Sequence, residues 1–162
     1  LALFLTLFIM SPVISQINTE AYKPYKEHQI TQEEAIKLGS KPLKEFMLKQ
    51  VYEDDLDLFL SLADSSGQVD MEEYDSQEKL MDLSFTIIIP SFITSELKRA
   101  FLIGFLLYIP FLIIDIVVSS MLMSMGMVML PPSMISLPFK IMLFVLVDGW
   151  SLLIKSLIMG FN

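Results

Sequence analysis

The sequence contains no cysteine and a single histidine, His28. Without cysteine the chain can form neither a disulfide nor a thiolate metal site. His28 stands in a polar stretch without a triad or ligand pattern around it, so it is read as an exposed side chain. The acidic runs at 53–57 and 70–75 lack the glycine and spacing of an EF-hand loop. We therefore expect no enzyme, and no catalytic, cofactor-binding or metal site.

Charge is nearly absent from the last third of the sequence. Between residues 100 and 137 only Asp115 is charged, and the whole chain is 54% hydrophobic with a mean hydropathy of +0.60. An apolar run of this length exceeds an ordinary core helix and is typical of membrane spans. The net charge of −8 lies entirely within residues 20–99. These features predict an integral membrane protein with an acidic, water-facing middle segment, and the acidity argues against nucleic-acid binding.

Changes in composition divide the chain into four regions. They are the end of a transmembrane helix (1–17), a hydrophilic helical domain (18–82), a long kinked apolar helix region (83–130) and a C-terminal apolar helix region (131–162). We expect the first helix to break at Ser11-Pro12 and to begin upstream of Leu1, although a signal-peptide core has a similar length. As a helix, residues 100–130 would measure about 46 Å, against about 30 Å of hydrocarbon. A tilt, an extension beyond the bilayer or a kink at Pro110 would accommodate the excess.

Local patterns predict the helices of the hydrophilic domain. Thr31 and Glu34 have the spacing of a capping box, and Gly39 is a candidate helix stop. A second helix follows Pro42. A third places apolar side chains on one stripe after an acidic start, namely Leu56, Phe59, Leu60 and Ala63. Residues 64–79 have no periodicity and are expected to form a loop.

Each long apolar helix carries one polar stripe. At 100° per residue the stripes comprise Gly104, Asp115, Ser119 and Gly126 on the first helix, and Lys140, Asp148, Ser151 and Lys155 on the second. Charges within apolar helices normally face protein and pair there, and small residues allow close approach of another helix. Interhelical packing is therefore expected. Snorkelling of the two lysines and proton relay through Asp115 are the alternatives.

Methionine recurs at every second position from 121 to 129, with only residues 122, 124, 126 and 128 between. In a helix these methionines would lie on two opposite faces, whereas in an extended loop they would share one face. Methionine is flexible and adapts to irregular partners. From the residues alone, lipid-facing filler and an adaptable contact surface both remain open.

Several strings resemble the FliP family of flagellar biosynthesis proteins. They are Phe111-Leu-Ile-Ile-Asp115, Gly126-Met-Val-Met-Leu-Pro-Pro132 and, most specifically, Leu137-Pro-Phe-Lys-Ile-Met-Leu-Phe-Val-Leu-Val-Asp-Gly-Trp150. Matches upstream are Phe8-Ile-Met-Ser-Pro-Val13, Ala21-Tyr-Lys-Pro24, Pro42-Leu-Lys-Glu-Phe-Met47 and Thr94-Ser-Glu-Leu-Lys98. Related injectisome proteins share the Asp-Gly-Trp region, but the proline-rich strings are more similar to the flagellar branch.

The resemblance implies an all-α membrane protein with long kinked helical hairpins, assembling into a multi-subunit helical channel. It further implies a homo-oligomer with FliQ and FliR, served by FlhA and FlhB, through which unfolded flagellar subunits cross the inner membrane at the basal body. The 18–82 domain would be periplasmic. A methionine-rich gasket would close the pore and maps to Met127, Val128 and Met129, with Val128 departing from the family's methionine. The equivalent injectisome subunit and a structural membrane subunit outside the pore are the alternatives.

Five charged positions in or beside the apolar helices are candidate structural sites, namely Glu96, Asp115, Lys140, Asp148 and Lys155. Glu96 and Lys140 each stand near the beginning of an apolar helix. Within one chain their positions along the helices differ by about 40 Å. Because a buried unpaired charge is costly, we expect these two residues to pair between adjacent subunits.

Overall fold

The computed structural model describes residues 1–67, 69, 74, 77–127 and 129–161, and these residues are predominantly helical, without a strand among them. A single π-helical turn, Asn18–Tyr22, follows the first helix. The α-helices are α1 (Ala2–Ile17), α2 (Lys23–Lys26), α3 (Gln32–Gln50), α4 (Glu53–Ser65), α5 (Gln77–Leu80), α6 (Phe85–Ser124), α7 (Pro132–Leu146) and α8 (Gly149–Met159). The predicted all-α class is confirmed. The chain divides into two compact units, Leu1–Lys98 and Arg99–Asn162.

The expected break at Ser11-Pro12 is wrong, because α1 continues through Pro12 and joins the π-helical turn and α2. A proline removes only one backbone hydrogen bond, and an apolar segment in lipid has no water to replace the others if the helix stops. Helix α2 ends at Lys26, and His28, two residues later, has a left-handed φ of 58°. The amides of His28 and Gln29 donate to the carbonyls of Tyr25 and Pro24 at 3.0 and 2.9 Å. The sole histidine thus terminates a helix in a Schellman motif.

The predicted capping box is confirmed at the start of α3. The Glu34 amide donates to Thr31 Oγ1 at 3.3 Å, and the Thr31 amide donates to the Glu34 carboxylate at 2.9 Å. The predicted stop at Gly39 is wrong, since α3 continues to Gln50. A Cβ at Gly39 would lie 3.4 Å from Ala21 Cβ and 3.6 Å from Ile17 Cγ2. The glycine therefore serves close packing of α3 against the preceding helical segment.

One apolar core joins α3, α4 and the beginning of α6. Its buried members are Met47, Leu56, Leu60, Ala63, Leu83, Ile87 and Ile88. Three of the four residues of the predicted α4 stripe are buried, and Phe59 packs against the cluster. The beginning of the apolar α6 therefore completes the core of the hydrophilic domain.

An ion pair fastens the start of α4 to α6. The Asp55 side chain is 1% exposed, and it accepts hydrogen bonds from the Lys98 ammonium and from Ser95 Oγ, the latter at 2.8 Å. Ser95 Oγ in turn accepts the Tyr52 amide at 3.0 Å. The Lys98 hydrogen bond and, secondarily, the Ser95 hydrogen bond hold the pKa of Asp55 below its usual range, although burial opposes them.

A second polar contact joins α3 to the turn before α6. The Lys44 ammonium of α3 donates to the carbonyls of Met81 and Leu83 at 3.1 and 2.7 Å. It also stands 5.2 Å from the centre of the Phe85 ring. The Lys44 ammonium thus supplies donors to two backbone oxygens at the edge of the core.

Helix α6 has 40 residues and continues through Pro90 and Pro110. Its length is about 60 Å at 1.5 Å per residue, twice the hydrocarbon thickness. The predicted helix began at residue 100, but the observed one begins earlier, at Phe85. Residues Ile87, Ile88, Ser91 and Ser95 on its first part are buried within the Leu1–Lys98 unit. The excess length is thus explained by extension into the hydrophilic domain.

Among the described residues, two helical segments are long and apolar enough to span a membrane, Ala2–Lys26 and Phe85–Ser124. A third candidate is the broken pair of α7 and α8, which meet at a bend of 62°. Helix α6 and the broken pair of α7 and α8 therefore form the two arms of a hairpin, and the second arm is bent.

The Asp55 ion pair should contribute measurably to the stability of the hydrophilic domain. Asp55→Ala should lower the free energy of unfolding by about 1–3 kcal/mol, because it removes a buried charged acceptor from two donors. Thermal melting of the detergent-solubilised protein, followed by circular dichroism, measures this loss. Lys49→Ala is the matched control: it removes the exposed Glu45–Lys49 pair at 2.8 Å and should have little effect.

The sign of the pH dependence follows from the lowered pKa of Asp55. Its contribution is present above the unfolded pKa of about 3.9 and is lost as the pH falls through the lower folded pKa. The melting temperature should therefore drop less steeply below pH 4 in Asp55→Asn than in the wild-type protein. Identical pH profiles of the two proteins would contradict the role given to this carboxylate.

Candidate functional site

The turn between α6 and α7 begins with a second Schellman motif. Gly126 has a φ of +75°, and its amide donates to the Met123 carbonyl at 3.1 Å. The Met127 amide reaches back to the Leu122 carbonyl at 3.0 Å. Both bonds satisfy carbonyls that the end of α6 would leave open. The assignment of Gly126 to a helix-packing stripe is therefore wrong: it ends the helix.

The methionine series occupies two kinds of backbone. Met121 and Met123 lie in the last turn of α6, whereas Met125, Met127 and Met129 lie in the turn that follows. Met129 is 96% exposed and Met125 is 70% exposed, while Met127 is half-buried. Val128, the third residue of the expected gasket, lies outside the described residues. The turn thus presents flexible apolar side chains at the end of the hairpin.

A polar cluster joins α6 to α7 within the hairpin. The Asp115 carboxylate accepts the Lys140 ammonium at 2.6 Å on one oxygen and the Ser136 hydroxyl at 2.6 Å on the other. Ser136 is fully buried, and Asp115 and Lys140 are partly buried. This is the interhelical pairing expected for charges within apolar helices, rather than the snorkelling alternative.

Ser136 was absent from the predicted stripe, although a signal for it exists. It precedes Lys140 by four residues, so the two side chains lie on one face of α7. The predicted stripe on the second helix begins at Lys140 and therefore does not reach Ser136. The signal in the sequence is a hydroxyl one helical turn from a charged residue.

Two expectations about the charged positions need correction. Lys140 pairs with Asp115 within the chain, so its charge does not require Glu96 of an adjacent subunit. Glu96 lies half-buried in the Leu1–Lys98 unit. The prediction that the polar residues from Lys140 to Lys155 share one helical face is also wrong, because the helix breaks between Lys140 and Asp148. Lys155 is exposed on α8.

The Asp148-Gly149-Trp150 string forms the break between α7 and α8. Asp148 has a left-handed φ of 48°, an arrangement that aspartate tolerates better than most residues. A Cβ at Gly149 would lie 2.3 Å from the Phe144 ring, so only glycine fits there without a shift of that ring. Phe144 also contacts Trp150 edge to face, with ring centres 5.5 Å apart. The string therefore encodes a bend packed by aromatic rings.

Apolar grooves lie on the hairpin among the described residues, and two of them are lined mainly by aliphatic and aromatic side chains. The larger, of about 480 Å³, runs between the end of α6 and the first turns of α7, and its lining includes Met121, Met125 and Phe139. The smaller, of about 200 Å³, lies beside Pro110 at the bend of α7 and α8. Such linings suit an apolar side chain or a lipid chain rather than a polar substrate.

The described residues contain no group of three or more potential metal ligands among His, Cys, Asp and Glu. The polar groups that converge in the hairpin are already bonded to one another. An Asp–Ser–Lys cluster of this kind has the composition of some hydrolytic sites, but here Asp115 occupies both other groups. The geometry is that of a structural cluster holding two helices together.

The Asp115–Lys140 pair should show strong coupling between its two members. Asp115→Leu or Lys140→Met alone leaves one charge unpaired between apolar helices and should lower the melting temperature of the solubilised protein. The double substitution removes both charges and should recover most of that loss. Lys155→Met is a control on an exposed lysine and should change little. Additive losses in the double variant would contradict the pairing.

Comparison with known proteins supplies the family. Residues 1–157 match the FliP family. The chain is 56% identical over its full length to the flagellar biosynthetic protein FliP of Buchnera aphidicola subsp. Acyrthosiphon pisum, covering 40% of that protein. It is 54% identical over 99% of its length to FliP of Bacillus subtilis, covering 69%, and 49% identical over its full length to FliP of Aquifex aeolicus, covering 65%. The chain thus spans between two fifths and about two thirds of the length of these relatives, and it belongs to the FliP family.

Proposed function

We propose that the protein is a channel-forming subunit of the flagellar type III export gate, through which unfolded flagellar subunits cross the inner membrane. Membership of the FliP family is the observation that carries this proposal. In this role the protein moves substrate without catalysing a reaction and needs no cofactor. Its role is to form the wall of the export channel and to close the channel when no substrate passes.

The turn between α6 and α7 supplies the closing element. A seal around a passing chain of changing sequence needs side chains that are apolar, unbranched and adaptable, which are the properties of methionine. Met127 and Met129, together with Val128, form the proposed gasket. The exposure of Met129 leaves its side chain free to meet the equivalent residue of other subunits. Valine at 128 is stiffer at χ1 and would make that point of the seal less deformable.

The proposed partners follow from the same role. The hairpin exposes large apolar side chains on several sides of α6 and α8, including Phe101, Phe105 and Trp150. Lipid and neighbouring subunits are the surroundings that such surfaces require. We assign these surfaces to copies of the same chain, to FliQ and FliR, and to lipid, with FlhA and FlhB serving the assembled channel. The location is the inner membrane at the flagellar basal body, with residues 18–82 in the periplasm.

Two alternatives differ in what the methionine turn contacts. As the equivalent subunit of an injectisome, the protein would use the same turn with virulence substrates. As a structural membrane subunit outside the pore, it would not touch substrate there at all. A cysteine placed at Met127, in a chain without native cysteine, should crosslink to a stalled export substrate only if the turn lines the path.

The full-length protein should purify as a multi-subunit assembly rather than as a monomer. Extracted in mild detergent with its partner subunits, it should migrate as a discrete particle of several copies, since its exposed apolar faces need protein contacts. Mass measurement of the purified particle by light scattering or native mass spectrometry tests this. A monomer that retains export activity would overturn the proposal.

Replacing Met127 and Met129 together by alanine should loosen the closed gate. The change removes volume from the seal while leaving the helix contacts in place, so assembly should be normal and the leak of ions across vesicles should rise. Met142→Ala and Met159→Ala remove exposed methionines, at 54% and 71%, from within α7 and α8 and should not cause a leak. A double variant as tight as the wild type would show that the turn is not the seal.

A further inference from the structure

We propose that Ser136 is a positioning residue for the turn between α6 and α7, and that its hydrogen bond to Asp115 holds this turn in its closed arrangement. The inference rests on the proposed function of the turn as the seal of the channel. It assigns control of the seal to a residue outside the turn, through a contact that is buried within one chain.

The contact does not depend on what surrounds the chain. Ser136 is fully buried by residues of its own chain, and its hydroxyl donates to one Asp115 oxygen at 2.6 Å. A neighbouring subunit or a lipid cannot reach this hydroxyl unless the two helices first separate. The contact present in one chain should therefore persist in the assembled complex.

Of Ser136 and Lys140, which both donate to Asp115, Ser136 lies nearer to the turn. It stands four residues after the start of α7 at Pro132, about 6 Å along the helix, whereas Lys140 stands about 12 Å along it. Asp115 stands nine residues before the end of α6. A movement of the turn therefore reaches the Ser136 hydroxyl one helical turn before it reaches the Lys140 ammonium.

The two halves of the turn are held unequally. On the α6 side the Gly126 and Met127 amides form the Schellman motif at 3.1 and 3.0 Å. In the second half the Leu130 amide donates to the Met127 carbonyl at 3.4 Å, which makes a weak hydrogen bond. The helices beside the turn meet through apolar side chains such as Leu122 and Ile135, whose attraction is non-directional. The directional bond at Ser136 is therefore what fixes the second half of the turn.

The Ser136 hydroxyl has a second acceptor in its own helix. Its oxygen lies 3.3 Å from the Ser133 carbonyl oxygen, one helical turn back. A hydroxyl has one proton to donate, and the shorter bond to a carboxylate is the stronger one. If the helices separate, the hydroxyl can rotate to the carbonyl, so no buried donor is left unsatisfied. The link to Asp115 can thus open at low cost, as a gate requires, while Lys140 still neutralises the carboxylate.

Ser136→Ala removes the hydroxyl with little change in side-chain volume and leaves the Asp115–Lys140 pair in place. We expect normal assembly of the full-length protein into its export complex, measured by native mass spectrometry. Loss of a hydrogen bond to a charged group shifts an equilibrium by about tenfold or more. The open population of the turn should rise by that factor, and the ion leak across membrane vesicles that contain the complex should rise about tenfold.

Amide hydrogen exchange in the purified complex measures the turn directly and needs no assumption about the channel. Peptides that cover residues 125–131 should exchange faster in Ser136→Ala, while peptides from α3 should not change. Ser136→Cys keeps a weaker donor of nearly the same size and should give intermediate exchange and leak. Ser120→Ala is the matched control on the same hairpin, because the Ser120 hydroxyl donates to the Ile116 carbonyl of its own helix at 2.8 Å. It should alter neither measurement.

The two measurements separate this inference from the proposed function. Unchanged exchange at residues 125–131 in Ser136→Ala, or an equal change in Ser120→Ala, would overturn the positioning role. Loss of assembly in Ser136→Ala would also overturn it, because the hydroxyl would then support the fold as a whole. Faster exchange in the turn without a leak would keep the positioning role and refute the turn as the seal. The alanine variants of Met127 and Met129 test the seal by themselves.

Discussion

Helix α6 serves two environments, and the rest of the structure depends on how its polar groups are satisfied in each. Its first turns complete the core of the hydrophilic domain, where Ser91 and Ser95 are buried and Ser95 bonds to Asp55. Farther along, Asp115 meets Ser136 and Lys140 between apolar helices. Both carboxylates use the same combination of one hydroxyl and one ammonium. Each charge is thus neutralised locally, within its own unit.

The unpaired backbone groups at helix ends are also satisfied locally, as the charges are. The Schellman motifs at His28 and Gly126 close the carbonyls that α2 and α6 leave open, and the capping box at Thr31 closes the amides of α3. Each device is local in sequence and needs no distant partner. The chain can therefore change direction near or within apolar surroundings without leaving backbone groups that only water could satisfy.

Features that depend on local chemistry could be predicted, and features that depend on distant contacts could not. The capping box and the apolar stripe of α4 were predicted correctly, because spacing alone determines them. The two glycines show the limit. Gly39 has the sequence context of a helix stop but lies inside α3 against Ala21, while Gly126 has the context of a packing residue but ends α6. The difference lies in what each glycine faces, which the local sequence does not contain.

The prediction of the candidate site was likewise correct for some residues and wrong for others. Asp115 and Lys140 were expected to face protein, and they pair within the chain; Ser136 was missed, and the break at Asp148 was not foreseen. The gasket assignment of Met127, Val128 and Met129 remains a proposal, since its test lies in the assembled complex. The beginning of α6 posed a further difficulty, because a helix segment buried in a water-facing core and one buried in lipid have similar apolar composition.

The contact between Gly149 and Phe144 has a consequence for how this bend can change over evolutionary time. The Phe144 ring occupies the space that a side chain at 149 would need, so the two positions share one volume. A larger residue at 149 requires the Phe144 ring to shift or to be replaced, whereas Gly149 is compatible with a smaller residue at 144. Substitutions at these positions should therefore be epistatic, and the order in which they arise should decide whether the intermediate protein folds.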